Sequence, residues 1–130
     1  MLERYCGWLK LKKYHGDVMA ESRGKTEDMQ LKAAYARVWS NGTRYMGADV
    51  FQDTLTSKEL KVKPKLANIA GLQLADILAH PLKRDVLVAY KRIPPMDECF
   101  GLQICQAAQK KYNRHEWNGI TKGYGRVFLA

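Results

Sequence analysis

The sequence is poor in cysteine, and its cysteines fit neither a disulfide framework nor a zinc site. Cys6, Cys99 and Cys105 are an odd number without a C-x-x-C pair. The chain also lacks the roughly 18 uninterrupted apolar residues that a membrane span requires. Charges throughout residues 1 to 13 exclude the apolar core of a secretory signal in that stretch. We therefore expect reduced, buried cysteines, no membrane partner and a cytoplasmic location.

Motifs that mark a covalent hydrolase or a nucleotide-binding loop are missing as well. Cys99 and Cys105 have no adjacent base, Ser57 lies outside a G-x-S-x-G context, and no glycine-rich phosphate loop occurs. A hydrolase that forms a covalent intermediate is therefore disfavoured. Acidic residues are also scarce, because 13 Asp and Glu stand against 22 Lys and Arg, a net charge of +9. This excess of positive charge favours a polyanionic partner such as nucleic acid.

The overall composition is that of a soluble globular protein. With 130 residues, 46% of them hydrophobic and 27% charged, we expect one domain over residues 1 to 130. The order of the predicted elements indicates an α/β fold, with α+β as the alternative, containing few strands and about four helices. Apolar spacing predicts helices over residues 2 to 13, 26 to 41, 69 to 83 and 98 to 112, and strands within residues 16 to 22 and 59 to 63. The terminal GYGRVFL is predicted as a glycine-flexed turn into a last strand.

Local signals set several of these boundaries. Thr26 is expected to cap the second helix with its hydroxyl, and Asn41-Gly42 is expected to end that helix. Residues 43 to 57 suggest a short helix or turn before the second strand. Pro64 should end this strand, because proline cannot donate to a strand ladder.

The helix predicted over residues 69 to 83 is apolar but carries polar residues on one side. Gln73, Asp76 and His80 fall within a narrow arc of that helix. A carboxylate and an imidazole at positions i and i+4 can bind one divalent ion, because both side chains lean the same way along the axis. The structural alternative is that Asp76 pairs with a lysine or caps backbone groups, and that His80 lies at the edge of the core.

Glu21 is the natural second carboxylate beside Asp76. It ends the first predicted strand, and open α/β sheets usually bind ligands beyond the carboxyl ends of their strands. Two acids that hold Mg²⁺ or Mn²⁺ can activate water and stabilise the leaving oxygen in phosphodiester hydrolysis. Alternatively, Glu21 is a surface residue before a turn. Asp17, on the same strand face, is a weaker candidate.

Two groups of cations near these acids are candidates for nucleic-acid contact. Arg23 and Lys25, together with Ser22, precede a predicted helix N-terminus, a position suited to phosphate. A second group alternates along an extended segment, which puts its charges on one side. This group comprises Lys61, Lys63 and Lys65. Solvated polar loops and edge strands protected by lysine have the same sequence pattern, so a purely structural role is the alternative.

A third group of cations lies near the C-terminus together with aromatic residues that could stack on bases. The cations are Lys110, Lys111, Arg114, Lys122 and Arg126, and the aromatic residues are Tyr112, Trp117 and Tyr124. The alternative is that these aromatic residues belong to the core.

Nearly the whole chain resembles a known bacterial family. The pattern G-L-Q-x-A-D runs from Gly71 to Asp76, and an E-S-R-G turn runs from Glu21 to Gly24. With the flanking residues and the terminal GYGRVFL, these motifs resemble the family called domain of unknown function 3800. The resemblance implies a ribonuclease H-like architecture, in which acids from separate elements converge on metal ions. Members usually open with a strand bearing Asp-Glu-Ser-Gly, and this sequence contains no such strand, so that it resembles the C-terminal portion of a member.

Two functional expectations follow from the residues and the resemblance. The first is a divalent-metal-dependent nuclease, or a domain derived from one, with Glu21 and Asp76 as catalytic metal ligands and His80 as a further ligand. The alternative is a non-catalytic basic module that binds nucleic acid or a protein partner. The retained acids favour the first and the missing strand favours the second, so enzymatic activity is left open. A homodimer or an upstream segment is expected to complete the truncated sheet.

Overall fold

The computed structural model describes residues 1 to 129, which form an α/β arrangement of helices and a small parallel sheet. The chain folds as two compact units, Met1–Leu72 and the residues from Gln73 onward. The single-domain boundary of residues 1 to 130 stays a prediction. The elements are the helices α1 (Leu2–Lys12), α2 (Lys25–Asn41), α3 (Ala48–Thr54), α4 (Ala70–Ala89) and α5 (Phe100–Gln109), the strands β1 (Met19–Glu21) and β2 (Lys61–Lys63), and a 3-10 turn (Lys65–Ala67).

The first unit is built around an apolar core. Phe51 of α3 is completely buried, and it shares this core with side chains from α1, α2 and the segment before β2. Tyr35 of α2 places its ring in the core and donates its hydroxyl to the Ser57 carbonyl oxygen at 2.7 Å, so its polar atom is satisfied. The buried core residues are Cys6, Leu9, Tyr35, Phe51, Leu55 and Leu60.

The sheet of the first unit consists of two parallel strands. Ala20 of β1 is paired with Val62 of β2, and both pack against the core. Side chains alternate along a strand, so the neighbouring residues lie on the outer face. The outer pairs are Met19 with Lys61 and Glu21 with Lys63. Because the strands are parallel, a long crossover must join them, and α2 and α3 lie within it.

The second unit buries a charged group. Asp85 of α4 is only 8% exposed. Arg126 binds it through two hydrogen bonds, Nε to Oδ2 at 2.7 Å and Nη2 to Oδ1 at 3.1 Å. Tyr112 donates its hydroxyl to Asp85 Oδ2 at 2.8 Å, and the Arg126 guanidinium lies 5.0 Å from the centre of the Tyr112 ring. The carboxylate is therefore fully partnered, as a buried charge must be.

Gly125 lets the C-terminal turn approach the segment that follows α5 closely enough to form this cluster. A Cβ atom at position 125 would lie 2.6 Å from the Asn113 carbonyl oxygen and 2.8 Å from Tyr112 Cβ, which is too close for any other residue. The glycine in GYGR therefore places the backbone of Arg126 next to Tyr112.

Most of the predicted boundaries agree with the structure. The first strand ends at Glu21, the second strand ends before Pro64, and α2 ends at Asn41, where the amide of Gly42 donates to the Val38 carbonyl oxygen. Of the short helix or turn suggested within residues 43 to 57, the helix is present as α3. Along the part of the chain that the structure describes, none of the helices combines the length and apolar character needed to cross a membrane.

Four predictions are corrected. Thr26 does not cap α2, because the helix already begins at Lys25 and Gly24 occupies the capping position. The helix expected to end at residue 83 continues through Pro81 to Ala89. The turn expected in GYGRVFL forms, but no strand follows it among the described residues, and Lys122 and Arg126 form one isolated bridge around the turn. Cys6 and Cys105 are buried as expected, but Cys99 is exposed.

Candidate nucleic-acid interface

The carboxyl ends of β1 and β2 lie side by side, and they gather most of the predicted site residues. Glu21 and Lys63 are the last residues of the two strands and are direct partners in the sheet. Immediately beyond them, the Ser22 amide donates to the Lys63 carbonyl oxygen at 2.8 Å. This bond ties the loop before α2 to the end of β2, so two segments separated by about forty residues in sequence form one edge.

Asp28 holds the loop that leads from this edge into α2. Its carboxylate accepts a hydrogen bond from the Ser22 hydroxyl at 2.5 Å and another from the Arg23 amide at 3.0 Å. The Ser22 hydrogen bond, followed by that of Arg23, lowers the pKa of Asp28 below its ordinary value. Gly24 then turns the chain with a φ of 127°, which disfavours any side chain there. The Ser22 hydroxyl is therefore engaged within the protein, which corrects the expectation that it faces phosphate.

Four cations with exposed side chains surround this edge, and we call them the basic edge. Arg23 and Lys25 belong to the loop and the first turn of α2, and Lys63 ends β2. Pro64 extends the chain by one more residue, so that Lys65 begins the 3-10 turn directly beyond the strand. The basic edge therefore consists of Arg23, Lys25, Lys63 and Lys65, all within the first unit.

Lys61, another of the predicted cations on β2, has an acidic partner. Its ammonium group forms an ion pair and hydrogen bond with the Asp17 carboxylate. This contact with Lys61 is the main cause that lowers the pKa of Asp17. Lys61 is exposed on the outer face of β2, as the alternation predicted, but Asp17 neutralises part of its charge. The weaker metal candidate Asp17 is likewise engaged.

Glu21 lies on the outer face of the sheet and is half-buried there. Lys63 lies directly opposite on β2, and such opposite charges on paired strand positions attract one another. The carboxylate is available at the surface for a cation, and its strand-end position is the one predicted from the sequence.

Asp76 and His80 lie on α4 before Pro81, in the second unit. Both residues are exposed and one helical turn apart, so their side chains have the spacing predicted for a shared ligand. Leu74 and Ile77 on the same stretch are also more than half exposed. This stretch of α4 is therefore exposed and not buried. Polar side chains such as Asp76 and His80 are ordinary on an exposed helix.

The predicted acids belong to different compact units. Glu21 lies in the first unit with the basic edge, whereas Asp76 and His80 lie in the second. Within residues 1 to 129, no group of three or more His, Cys, Asp or Glu side chains is arranged to hold a metal ion. The assignment of Glu21, Asp76 and His80 to one site stays a prediction.

The third predicted group of cations and aromatic residues separates into an internal and an external part. Arg126 and Tyr112 bind Asp85 inside the second unit, which corrects the surface role expected of Arg126 and agrees with the alternative internal role of Tyr112. Trp117, by contrast, is 90% exposed. Sequence reasoning missed Asp85, because a single acid in an apolar helix resembles Asp76 and nothing nearby in the sequence identifies its partner.

No family model, no curated protein and no solved structure matches this chain.

Proposed function

We propose that this chain is a nucleic-acid-binding module whose first unit contacts the phosphate backbone through the basic edge. The observation that carries the proposal is the parallel pairing of β1 with β2, since it joins Arg23 and Lys25 to Lys63 and Lys65 at one edge. These four cations come from two distant parts of the sequence. Only the fold assembles them into one surface.

The chemistry of the basic edge suits a phosphate backbone. Exposed lysine and arginine side chains attract phosphates and release the counterions condensed on the nucleic acid, which drives binding. Asp17 is paired with Lys61, which offsets its negative charge, and the Asp28 carboxylate accepts hydrogen bonds from the Ser22 hydroxyl and the Arg23 amide. Glu21, the acid at the edge itself, lies opposite Lys63, so that the charges of this pair attract one another.

The salt dependence of binding tests this proposal. The affinity of the chain for a labelled oligonucleotide, measured by fluorescence anisotropy, should fall steeply as salt concentration rises. The substitution Lys63→Ala should lower the affinity and reduce the slope of log K against log salt by about 1. Lys58→Ala is the matched control, because Lys58 is an exposed lysine of the same unit outside the basic edge. Binding that ignores salt, or equal effects of the two substitutions, would contradict the proposal.

A metal-dependent nuclease is the second candidate function, and the exposure of Asp76 and His80 one turn apart favours it. In this proposal the chain has the ribonuclease H-like architecture implied by its family resemblance. Asp76 and His80 would hold Mg²⁺ or Mn²⁺, with a second copy or an upstream segment supplying further ligands. The metal would supply an activated water and charge stabilisation at the leaving oxygen.

Cleavage assays separate the two candidates. The nuclease proposal expects cleavage of DNA or RNA that requires Mg²⁺ or Mn²⁺ and is abolished by Asp76→Asn. Asp97→Asn, at another exposed acid of the second unit, serves as the matched control. If neither metal supports cleavage by the unsubstituted chain, the catalytic proposal fails while the binding proposal stands on its salt dependence. Nucleic-acid binding that a chelator leaves unchanged would favour the binding module.

A further inference from the structure

The segment after α5 in the second unit forms a small closed loop with a tryptophan at its tip. The Gly119 amide donates to the His115 carbonyl oxygen, and the His115 amide donates to that of Ile120, both at 2.9 Å. Inside the loop, the Trp117 amide donates to His115 Nδ1 at 3.3 Å. The Asn118 side chain accepts a hydrogen bond from the Ile120 amide at 3.1 Å. These bonds define the backbone on both sides of Trp117.

Further contacts attach the base of this loop to the rest of the second unit. Arg114 donates from Nη2 to the Gln109 carbonyl oxygen at the end of α5, at 2.8 Å, and from Nη1 to that of Gly119 at 3.5 Å. The His115 ring meets the Tyr124 ring edge to face, with centroids 5.0 Å apart. The loop is therefore held at its base, whereas the indole of Trp117 projects into solvent.

This indole is the most exposed of the three tryptophan side chains. Trp117 is 90% exposed, whereas Trp8 is 40% exposed and Trp39 is half-buried against the core of the first unit. Leaving an indole in water forgoes the free energy that its burial would provide, and exposed aromatic side chains on ordered loops are common at binding sites. The loop therefore offers a flat aromatic face that no contact within its own unit covers.

The charged residues near Trp117 indicate what kind of ligand would cover its indole. Lys110 and Lys111 follow α5, and Arg114 bridges the end of that helix and the loop. Glu116 is the one acid among residues 110 to 126 of the sequence. An aromatic face beside several cations is complementary to a ligand that has both phosphates and flat rings. Single-stranded nucleic acid has both, and its bases are free to stack, whereas the bases of a duplex already stack on one another.

We infer that Trp117 is a base-stacking residue for single-stranded nucleic acid, with Lys110, Lys111 and Arg114 contacting the adjacent phosphates. This inference rests on the proposed nucleic-acid-binding function and adds to it a preference for single strands. The basic edge contributes charge, which any nucleic acid satisfies. Trp117 contributes contact with a base, which only an unpaired strand satisfies fully.

Substitution of the exposed tryptophan tests this inference in the full chain. Trp117→Ala should weaken binding to a thymidine oligonucleotide about 5- to 150-fold, the range typical for the loss of one base stack. Trp117→Phe should restore much of the affinity, because a phenyl ring also stacks. Trp8→Phe, which changes the partly exposed tryptophan of the first unit, is the matched control and should leave the affinity unchanged. Circular dichroism of each variant checks that the fold is retained.

An abasic oligonucleotide of the same length separates stacking from charge. It keeps the phosphates and lacks the bases, so its affinity for the unsubstituted chain should match that of the thymidine oligonucleotide for Trp117→Ala. Equal loss of duplex and single-strand binding in Trp117→Ala would overturn the inference while the basic edge remains supported. An unchanged affinity of Trp117→Ala would overturn it as well. If the unsubstituted chain binds neither strand type at any salt concentration, the proposed function fails together with it.

Discussion

The two compact units bury different kinds of side chain. The first unit buries aromatic and aliphatic residues, and Phe51 at its centre has no exposed surface. The second unit buries Pro81, Cys105 and the charged residue Asp85. Apolar burial is non-directional and tolerates adjustment, whereas a buried carboxylate requires partners at defined positions. The second unit therefore depends on a few specific hydrogen bonds, and the first depends on the volume of its core.

The largest expected effect is in the core of the first unit. Phe51→Ala removes a fully buried ring and leaves a cavity, so it should reduce the free energy of unfolding by about 3 to 5 kcal/mol. Urea unfolding monitored by circular dichroism measures this change. Tyr45→Ala is the control, because this aromatic side chain of the same unit is largely exposed and its loss should change stability by less than about 0.5 kcal/mol. Similar losses for the two variants would show that the assigned core is wrong.

The next effect concerns the ion pair of the second unit. Arg126→Met leaves the Asp85 carboxylate without its two-point partner and should cost about 3 kcal/mol of unfolding free energy. Adding Asp85→Asn removes the unpaired charge and keeps an acceptor for the Tyr112 hydroxyl, so the double variant should recover at least half of the loss. If the double variant is as unstable as Arg126→Met alone, the cost does not arise from an unpaired charge. Urea midpoints of the two variants decide between these outcomes.

The smallest effect is a dependence of stability on alkaline pH. Burial, reinforced by the hydrogen bond to Asp85, raises the pKa of Tyr112 to about 12 from 10.0. The folded-state pKa exceeds the unfolded value, so this contribution is complete below about pH 10 and is lost as pH rises through about 12. Between about pH 10 and pH 12, the free energy of unfolding of Tyr112→Phe should therefore fall less than that of the unsubstituted chain. Identical pH profiles would mean that Tyr112 titrates normally in the folded protein.

Local sequence signals predicted the parts of the fold that depend on neighbouring residues. Gly42 and Pro64 mark the ends of α2 and β2. Glycine adopts backbone conformations that other residues disfavour, and proline has a fixed φ and no amide hydrogen. The terminal GYGRVFL is predicted as a glycine-flexed turn into a strand, and the turn is present. The strand does not follow, because Arg126 binds Asp85 and Gly125 lies against Tyr112, contacts that a local pattern does not encode.

The candidate sites show the same limit. The individual cations of the basic edge were predicted, but their assembly depends on the pairing of Glu21 with Lys63, which joins segments distant in sequence. Asp85 and Arg126 are 41 residues apart and were not predicted as partners. The exposure of Trp117 also depends on the loop around it. Residue types and spacing thus predicted candidate binding residues. Tertiary contacts determined which of these residues lie at the surface and which bind other side chains inside the protein.

The proline within α4 divides that helix into two stretches that should differ in hydrogen exchange. Pro81 has no amide hydrogen, so the Ile77 carbonyl receives no helical hydrogen bond from it. The turn before Pro81 is largely exposed, whereas Pro81 itself is buried. The Pro81 carbonyl oxygen accepts a hydrogen bond from the Cys105 thiol at 3.3 Å. Amide protons of the stretch that carries Asp76 and His80 should therefore exchange with solvent well before those around Asp85. A ligand that binds Asp76 and His80 would slow this exchange locally and would be detectable without any assay of activity.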